Sequence, residues 1–141
     1  MQQLIEFSTN NLLLAGALLL ILGLIAFTEL KRLNRAFKDV PPAEAVRLIN
    51  REDALMVDIR ESNEMSKNKI AGAKHIPLSS LKQRVGELDK FREKAVIAYC
   101  RSGARSAQAC DLLSKSQFGQ VYNLKGGILA WESEGLPTAK A

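Results

Sequence analysis

Ala95-Val96-Ile97-Ala98-Tyr99, followed at once by Cys100-Arg101-Ser102-Gly103-Ala104-Arg105-Ser106, is the stretch that decides the fold. An apolar, partly β-branched run that ends in a small polar loop and passes into an Ala-containing segment predicts a buried strand, a tight turn and a helix start. Cys100 therefore falls at the handover from strand to helix. At such a junction several backbone N–H groups point unpaired at one spot, and the helix dipole adds about half a positive charge. Arg101 and Arg105 bring two more positive charges. A thiol in that field loses its proton more readily than its reference value of roughly 8.5 allows, because the thiolate is stabilised and the thiol is not. The loop reads as a holder for a nucleophilic sulfur.

The flanking segments repeat the alternation of strand and helix. Upstream, Pro41-Pro42 suits the first turn of a helix, and Ala45, Val46, Leu48 and Ile49 give it an apolar face up to about Glu52. Leu55-Met56-Val57-Asp58-Ile59 reads as a strand buried on both faces, as parallel strands are. Asp58 is the exception inside it. A buried carboxylate must be paired or hydrogen-bonded, and the C-terminal end of a parallel strand is where it can brace the Cys100 loop. Glu61 to Lys69 is polar and irregular, which predicts a loop or frayed turn. Ser79 to Phe91 carries Leu81, Val85 and Leu88 at helical spacing, with Gly86 as its weak point. Downstream, Gln120 to Leu124 predicts the last strand, Gly126-Gly127 a turn, and Ile128 to Glu134 a short helix stopped by Gly135 and Pro137. Ala139 to Ala141 reads as a loose tail. The pattern predicts a three-layer α/β domain around a mostly parallel sheet.

These motifs, taken together, resemble the rhodanese sulfurtransferases. The six-residue loop Cys100 to Arg105 resembles that family's active-site loop. Val57-Asp58-Ile59-Arg60-Glu61 resembles its first-strand motif, and Ile70-Ala71-Gly72-Ala73-Lys74-His75-Ile76-Pro77 its next landmark. Val121-Tyr122-Asn123-Leu124-Lys125-Gly126-Gly127-Ile128 with Trp131 resembles its last strand, glycine turn and final helix. The resemblance implies a rhodanese-like domain over residues 41–137, with Cys100 as the catalytic nucleophile. Arg101, Ser102, Gly103, Ala104 and Arg105 are then the substrate-binding loop, and Asp58 a bracing residue. It implies no cofactor and no metal. Its partners are a small anionic sulfur donor such as thiosulfate and a thiol acceptor, with sulfur carried as a persulfide on Cys100. The guanidinium groups of Arg101 and Arg105 suit an anionic donor and the departing sulfite.

Two other functions fit part of the pattern. Cysteine-loop phosphatases and arsenate reductases resemble Cys-x5-Arg, whereas here Arg105 comes one residue sooner and Ser106 holds the sixth place. A shorter loop makes a tighter cradle, better fitted to sulfur than to a tetrahedral phosphate. A rhodanese-fold docking module without chemistry is the second alternative, since fold alone does not establish activity. The cysteine and both arginines favour activity.

His75, the only histidine, is expected to make a structural hydrogen bond beside Ile76-Pro77, not to act in catalysis. Cys110 lies ten residues beyond Cys100 on a predicted helix. That separation exceeds disulfide geometry, so Cys110 is expected to be a buried, reduced thiol beside Ala107 and Leu113. One His and two Cys offer no recognisable metal spacing.

Ahead of this domain, Leu12 to Phe27 is sixteen residues without a polar side chain. As a helix it spans about 24 Å against a hydrocarbon core of about 30 Å, so Thr9, Asn10 and Thr28 fall near its edges. A cleaved signal wants a basic segment before the apolar run and a small-x-small site after it. Here only Glu6 is charged before Leu12, and Glu29-Leu30-Lys31-Arg32 follows. The expected layout is a short segment 1–11, a transmembrane helix 12–28, a basic juxtamembrane linker 29–40, the domain 41–137 and a tail 138–141. Lys31, Arg32, Arg35 and Lys38 follow the span and no Lys or Arg precedes it. A single-pass anchor in the inner (cytoplasmic) membrane, with the domain in the cytoplasm, is the expectation. The anchor makes membrane lipid a partner. The formal net charge of +5 owes much to that basic run, and the few aromatic residues are not interleaved with basic ones. Nucleic acid is therefore not an expected partner.

Overall fold

The computed structural model describes residues 1, 11–33, 35–65 and 68–140. They fall into two compact units, Met1–Arg35 and Ala36–Ala141. The first contains helix α1, Leu12–Leu33. Within it Leu12–Lys31 is, by length and composition, long and apolar enough to cross a membrane. Leu13, Leu18, Leu19, Ile21 and Leu22 lie on different faces of this helix and all are exposed. Thr28 donates its hydroxyl proton to the Ile25 carbonyl at 2.8 Å, which satisfies the hydroxyl within the helix itself. The helix continues past Thr28 because Glu29-Leu30-Lys31 contains no breaker. Thr9 and Asn10 lie outside the described residues.

The second unit is built on a parallel sheet in the order β1-β6-β5-β2-β4. Its strands are β1 Lys38–Val40, β2 Leu55–Asp58, β4 Lys74–His75, β5 Ala95–Tyr99 and β6 Gln120–Leu124. β5 is central, paired with β2 through Leu55↔Val96 to Asp58↔Tyr99 and with β6 through Ala95↔Gln120 to Ala98↔Asn123. All five β5 residues are buried, as the apolar run demanded. Alternation along β5 divides the core into two halves. Val96, Ala98 and Cys100 face one cluster with Ala109, Cys110 and Leu113 of α4, Ala104–Lys115. Ala95, Ile97 and Tyr99 face the other, with Ala45 and Leu48 of α2, Pro42–Glu52, and Ile128 and Trp131 of α5, Gly127–Ser133. Helices thus cover both faces and the three-layer α/β expectation holds.

Three local readings change. Lys38–Val40, read as linker, is strand β1, in register with Tyr122, Asn123 and Leu124, and Phe37 before it is buried. The folded unit therefore begins before Pro41. Thr138–Lys140, read as tail, is β7, which pairs antiparallel with β3, Asn68–Ile70. Strands of three residues are too short to show an alternation, so only their partners reveal them. Ser79 to Phe91 is not one helix. α3, Leu78–Arg84, gives way to a 3₁₀ segment Val85–Phe91 at Gly86, where glycine weakens the α-helix. Glu61 to Lys69 includes a 3₁₀ turn, Ser62–Glu64; Ser66 and Lys67, like Ala141, lie outside the described residues.

Candidate active site

Cys100 is the first residue beyond β5, and α4 starts four residues later with Gly103 at its N-cap. The loop carries Cys100 at the C-terminal end of the central parallel strand, where open α/β sheets present ligand-binding loops. Gly103 N–H donates to Cys100 Sγ at 3.1 Å, and Ser106 Oγ lies 3.5 Å from the same sulfur. Burial pushes the thiol up. The Ser106 hydroxyl and the backbone N–H groups of Ser106, Gly103 and Ser102 outweigh that penalty and hold Cys100 below the ordinary thiol value. Cys100 as a residue is only 1% exposed.

The loop keeps its shape through the glycine turn that follows β6. Ile128 and Leu129 donate their N–H groups to the carbonyls of Cys100 and Arg101 at 2.9 and 3.3 Å. With those carbonyls drawn outward, the N–H groups of the loop are free to converge on sulfur. Gly127, at φ +60, is what permits this approach: a Cβ there would lie 2.4 Å from the Arg101 oxygen and 2.5 Å from the Cys100 oxygen. Gly103, at φ +98, is similarly pressed against the Leu124 carbonyl, 3.2 Å from where a Cβ would stand.

A second set of side chains braces the loop from β6. Asn123 donates through Nδ2 to the Gly103 carbonyl at 3.2 Å and to Asp39 Oδ1 at 2.8 Å, while its Oδ1 accepts the Ser106 hydroxyl at 2.6 Å. Asp58 acts at one remove. Its carboxylate receives Arg60 through Nε and Nη2, the Arg60 N–H, and the Tyr99 hydroxyl at 2.8 Å. Asp58 thus fixes Tyr99, the residue before Cys100, and bears on the loop only through it among the described residues. Burial first, and Asp58 second, push the Tyr99 hydroxyl well up. His75 Nε2 makes its expected structural hydrogen bond, with the Arg60 carbonyl at 2.7 Å.

Of the two loop arginines, one is engaged. Arg105 forms two hydrogen bonds of 2.6 Å to the Glu64 carboxylate. This pairing holds Glu64 down at about 2. Arg101 is exposed and, with Arg60, Glu64, Asn68, Ile128, Leu129 and Glu132, lines a cavity of about 440 Å³ beside the loop. Cys110 is buried in α4 and donates to the Tyr122 carbonyl at 3.3 Å; burial pushes its thiol well up. Both cysteines are free thiols. Among the described residues no cluster of three or more His, Cys, Asp or Glu side chains is placed to hold a metal.

Sequence reasoning therefore located Cys100 and its loop but missed Ser106, Asn123, Asp39 and Glu64 as parts of the same constellation. A polar Asn inside a predicted buried strand was the one available signal, by the same argument that singled out Asp58. Nothing local points from Glu64 to Arg105.

The result is a three-layer α/β domain that presents one cysteine on an N–H-lined strand-to-helix loop. The model of the rhodanese-like domain family matches residues 41–134, and the chain belongs to that family. A sulfurtransferase of Allochromatium vinosum is 46% identical over 91 residues, 64% of this chain and 83% of that one. YibN of Escherichia coli K12 is 36% identical over 141 residues, 99% of either chain, so its similarity extends over the apolar helix as well. The crystal structure of a rhodanese-related protein from Thermoplasma volcanium superposes with a TM-score of 0.66 at 30% identity, covering 74% of this chain and all of that one.

Proposed function

We propose that this protein is a membrane-anchored sulfurtransferase that moves a sulfane sulfur from a donor such as thiosulfate to a thiophilic acceptor through a persulfide on Cys100. The observation that carries the reading is the ring of donors around Cys100 Sγ, led by the Gly103 N–H at 3.1 Å. Cys100 thiolate attacks the outer sulfur of thiosulfate. The Sγ–S bond forms as the sulfur–sulfur bond of the donor breaks, and sulfite leaves with the electron pair. The terminal sulfur of the resulting persulfide carries the negative charge, cradled by loop N–H groups as an oxyanion hole cradles oxygen. A thiolate in the cell, or cyanide in an assay, then takes that sulfur and returns Cys100 to thiolate.

Arg101 has the place to attract an anionic donor, while Arg105, held by Glu64, shapes the rim with a largely compensated charge. Ser102, Gly103 and Ala104 supply backbone and turn. Only four residues separate Cys100 from Arg105, which favours sulfur over a tetrahedral phosphate. The full-length chain in detergent, treated with thiosulfate, should gain one sulfur by intact mass and turn over thiosulfate with cyanide. Hydrolysis of aryl phosphates without thiocyanate formation would overturn the assignment.

Helix α1 is the anchor in this reading. A helix that is apolar on every face suits lipid, and the basic residues Lys31, Arg32, Arg35 and Lys38 after it favour a cytoplasmic domain by the positive-inside rule. Protease added to sealed right-side-out vesicles should spare the domain; its digestion would reverse the orientation.

A further inference from the structure

Ser106 is fully buried and has one hydroxyl proton for two neighbours, Asn123 Oδ1 at 2.6 Å and Cys100 Sγ at 3.5 Å. The Asn123 amide has only one possible orientation. Its other end meets the Asp39 carboxylate at 2.8 Å and the Gly103 carbonyl at 3.2 Å, and a carbonyl or carboxylate oxygen accepts. The NH₂ group must face them, so Oδ1 must face Ser106. An amide oxygen cannot donate, so the Ser106 proton goes to Asn123. What Ser106 then turns toward Cys100 is a lone pair. That suits a thiol, whose S–H finds an acceptor, and it does not suit a thiolate.

From this geometry we propose that Asn123 is a positioning residue that competes with Cys100 for the Ser106 proton. The Ser106 hydroxyl is a two-position switch. It points to Asn123 while Sγ is a thiol or the inner atom of a persulfide, and to Sγ when that sulfur is a thiolate. The proposal rests on Cys100 being the nucleophile proposed above. When an acceptor thiolate attacks the terminal sulfur, the Sγ–S bond breaks and its electron pair stays on Sγ. The hydroxyl then rotates toward the new thiolate and keeps its own proton. A charge-assisted hydrogen bond is roughly twice as strong as a neutral one, so the rotation still favours the thiolate, but by less than it would without Asn123.

Charged and titratable groups on the elements that meet at the loop are Tyr99 before it, Arg101 and Arg105 on it, Glu64 on the 3₁₀ turn, Cys110 on α4, Asp39 on β1, and Asp58 with Arg60 at the end of β2. Changing Ser106 or Asn123 alters the charge of none of them, so their fields offset equally among variants of these two positions.

The test is the pH dependence of Cys100 alkylation by iodoacetamide in the full-length chain in detergent, read by peptide mass spectrometry. A hydrogen bond to a charged group corresponds to about one pH unit or somewhat more. Ser106→Ala should raise the midpoint by about that much, and Asn123→Ala should lower it by up to about as much. In the Ser106→Ala background the Asn123→Ala shift should shrink to what the lost hydrogen bond to the Gly103 carbonyl contributes, because its effect through the hydroxyl is gone. A brace that merely shaped the loop would not give shifts of opposite sign. An upward shift in Asn123→Ala, or an equal shift with and without the Ser106 hydroxyl, would overturn the proposal. Should Asn123→Ala fail to fold, Asp39→Ala at the exposed edge repeats the comparison. Its direct field effect cancels between the Ser106 and Ser106→Ala backgrounds, and a larger downward shift with the hydroxyl present is expected; equal shifts would overturn the proposal. Alkylation requires no sulfur donor. The expected midpoint shifts without persulfide formation would therefore break the functional reading and leave the switch standing, and persulfide formation without those shifts would break only the switch.

Discussion

Cys100 and Cys110 lie ten residues apart, at the N-terminal approach and in the middle of the same helix, and both are buried. Their thiols move in opposite directions: Cys100 is held below the ordinary value and Cys110 is pushed well above it. Burial raises both thiols; at Cys110 it prevails, joined by the Asp39 carboxylate, while at Cys100 the hydroxyl and N–H donors outweigh it. Cys100 receives N–H groups from a loop whose carbonyls are tied outward to α5, while Cys110 gives its proton to the Tyr122 carbonyl. A buried sulfur among donors is prepared to be a nucleophile, and one facing an acceptor is prepared to remain a thiol.

Cys100→Ser should break the comparison outright. Persulfide formation from thiosulfate should vanish by intact mass while the fold, followed by circular dichroism, is kept. Gly127→Ala should come next. A Cβ 2.4 Å from the Arg101 oxygen cannot be accommodated without moving backbone, and φ +60 adds strain. Stability should fall by about 1–3 kcal/mol in urea unfolding, and the alkylation midpoint of Cys100 should rise toward that of an ordinary thiol as its donors are displaced. A Gly127→Ala protein with an unchanged midpoint would show that the turn does not set the loop.

Cys110→Ala should sharpen the contrast by leaving persulfide formation in place. It should cost only about 1 kcal/mol, the order expected for removing one buried atom and its hydrogen bond. A folded but inactive Cys110→Ala protein would assign this residue a role that its geometry does not suggest.

Glu64→Gln should have the smallest effect. Hydrogen bonding from Arg105 lowers Glu64 from 4.5 to about 2. A depressed folded value means that the stabilisation is complete above about 4.5 and is lost as pH falls toward 2. The difference in urea midpoint between the native chain and Glu64→Gln should therefore be present near neutrality and close as pH falls through that window. A difference that widened on acidification would contradict the pairing. The pair is partly solvated, so the effect should also weaken with salt.

What the sequence by itself determined is what a local signal can carry. A five-residue apolar run specified β5 as a buried strand, and its abrupt end placed Cys100 at a strand-to-helix junction. The 3.6-residue spacing of Ala45, Leu48 and their neighbours specified α2, and the uninterrupted apolar run specified α1. Tertiary structure alone decided which side chains surround the sulfur. Asn123 reaches Ser106 across 17 positions and Asp39 across 84, and Arg105 finds Glu64 across 41. β1 and β7 exist only because β6 and β3 lie beside them. Periodicity and turn chemistry act over a few residues, whereas the direction of a buried hydrogen bond depends on which distant strand supplies the partner. The loop that carries Cys100 was therefore legible before the hydrogen bonds around its sulfur were.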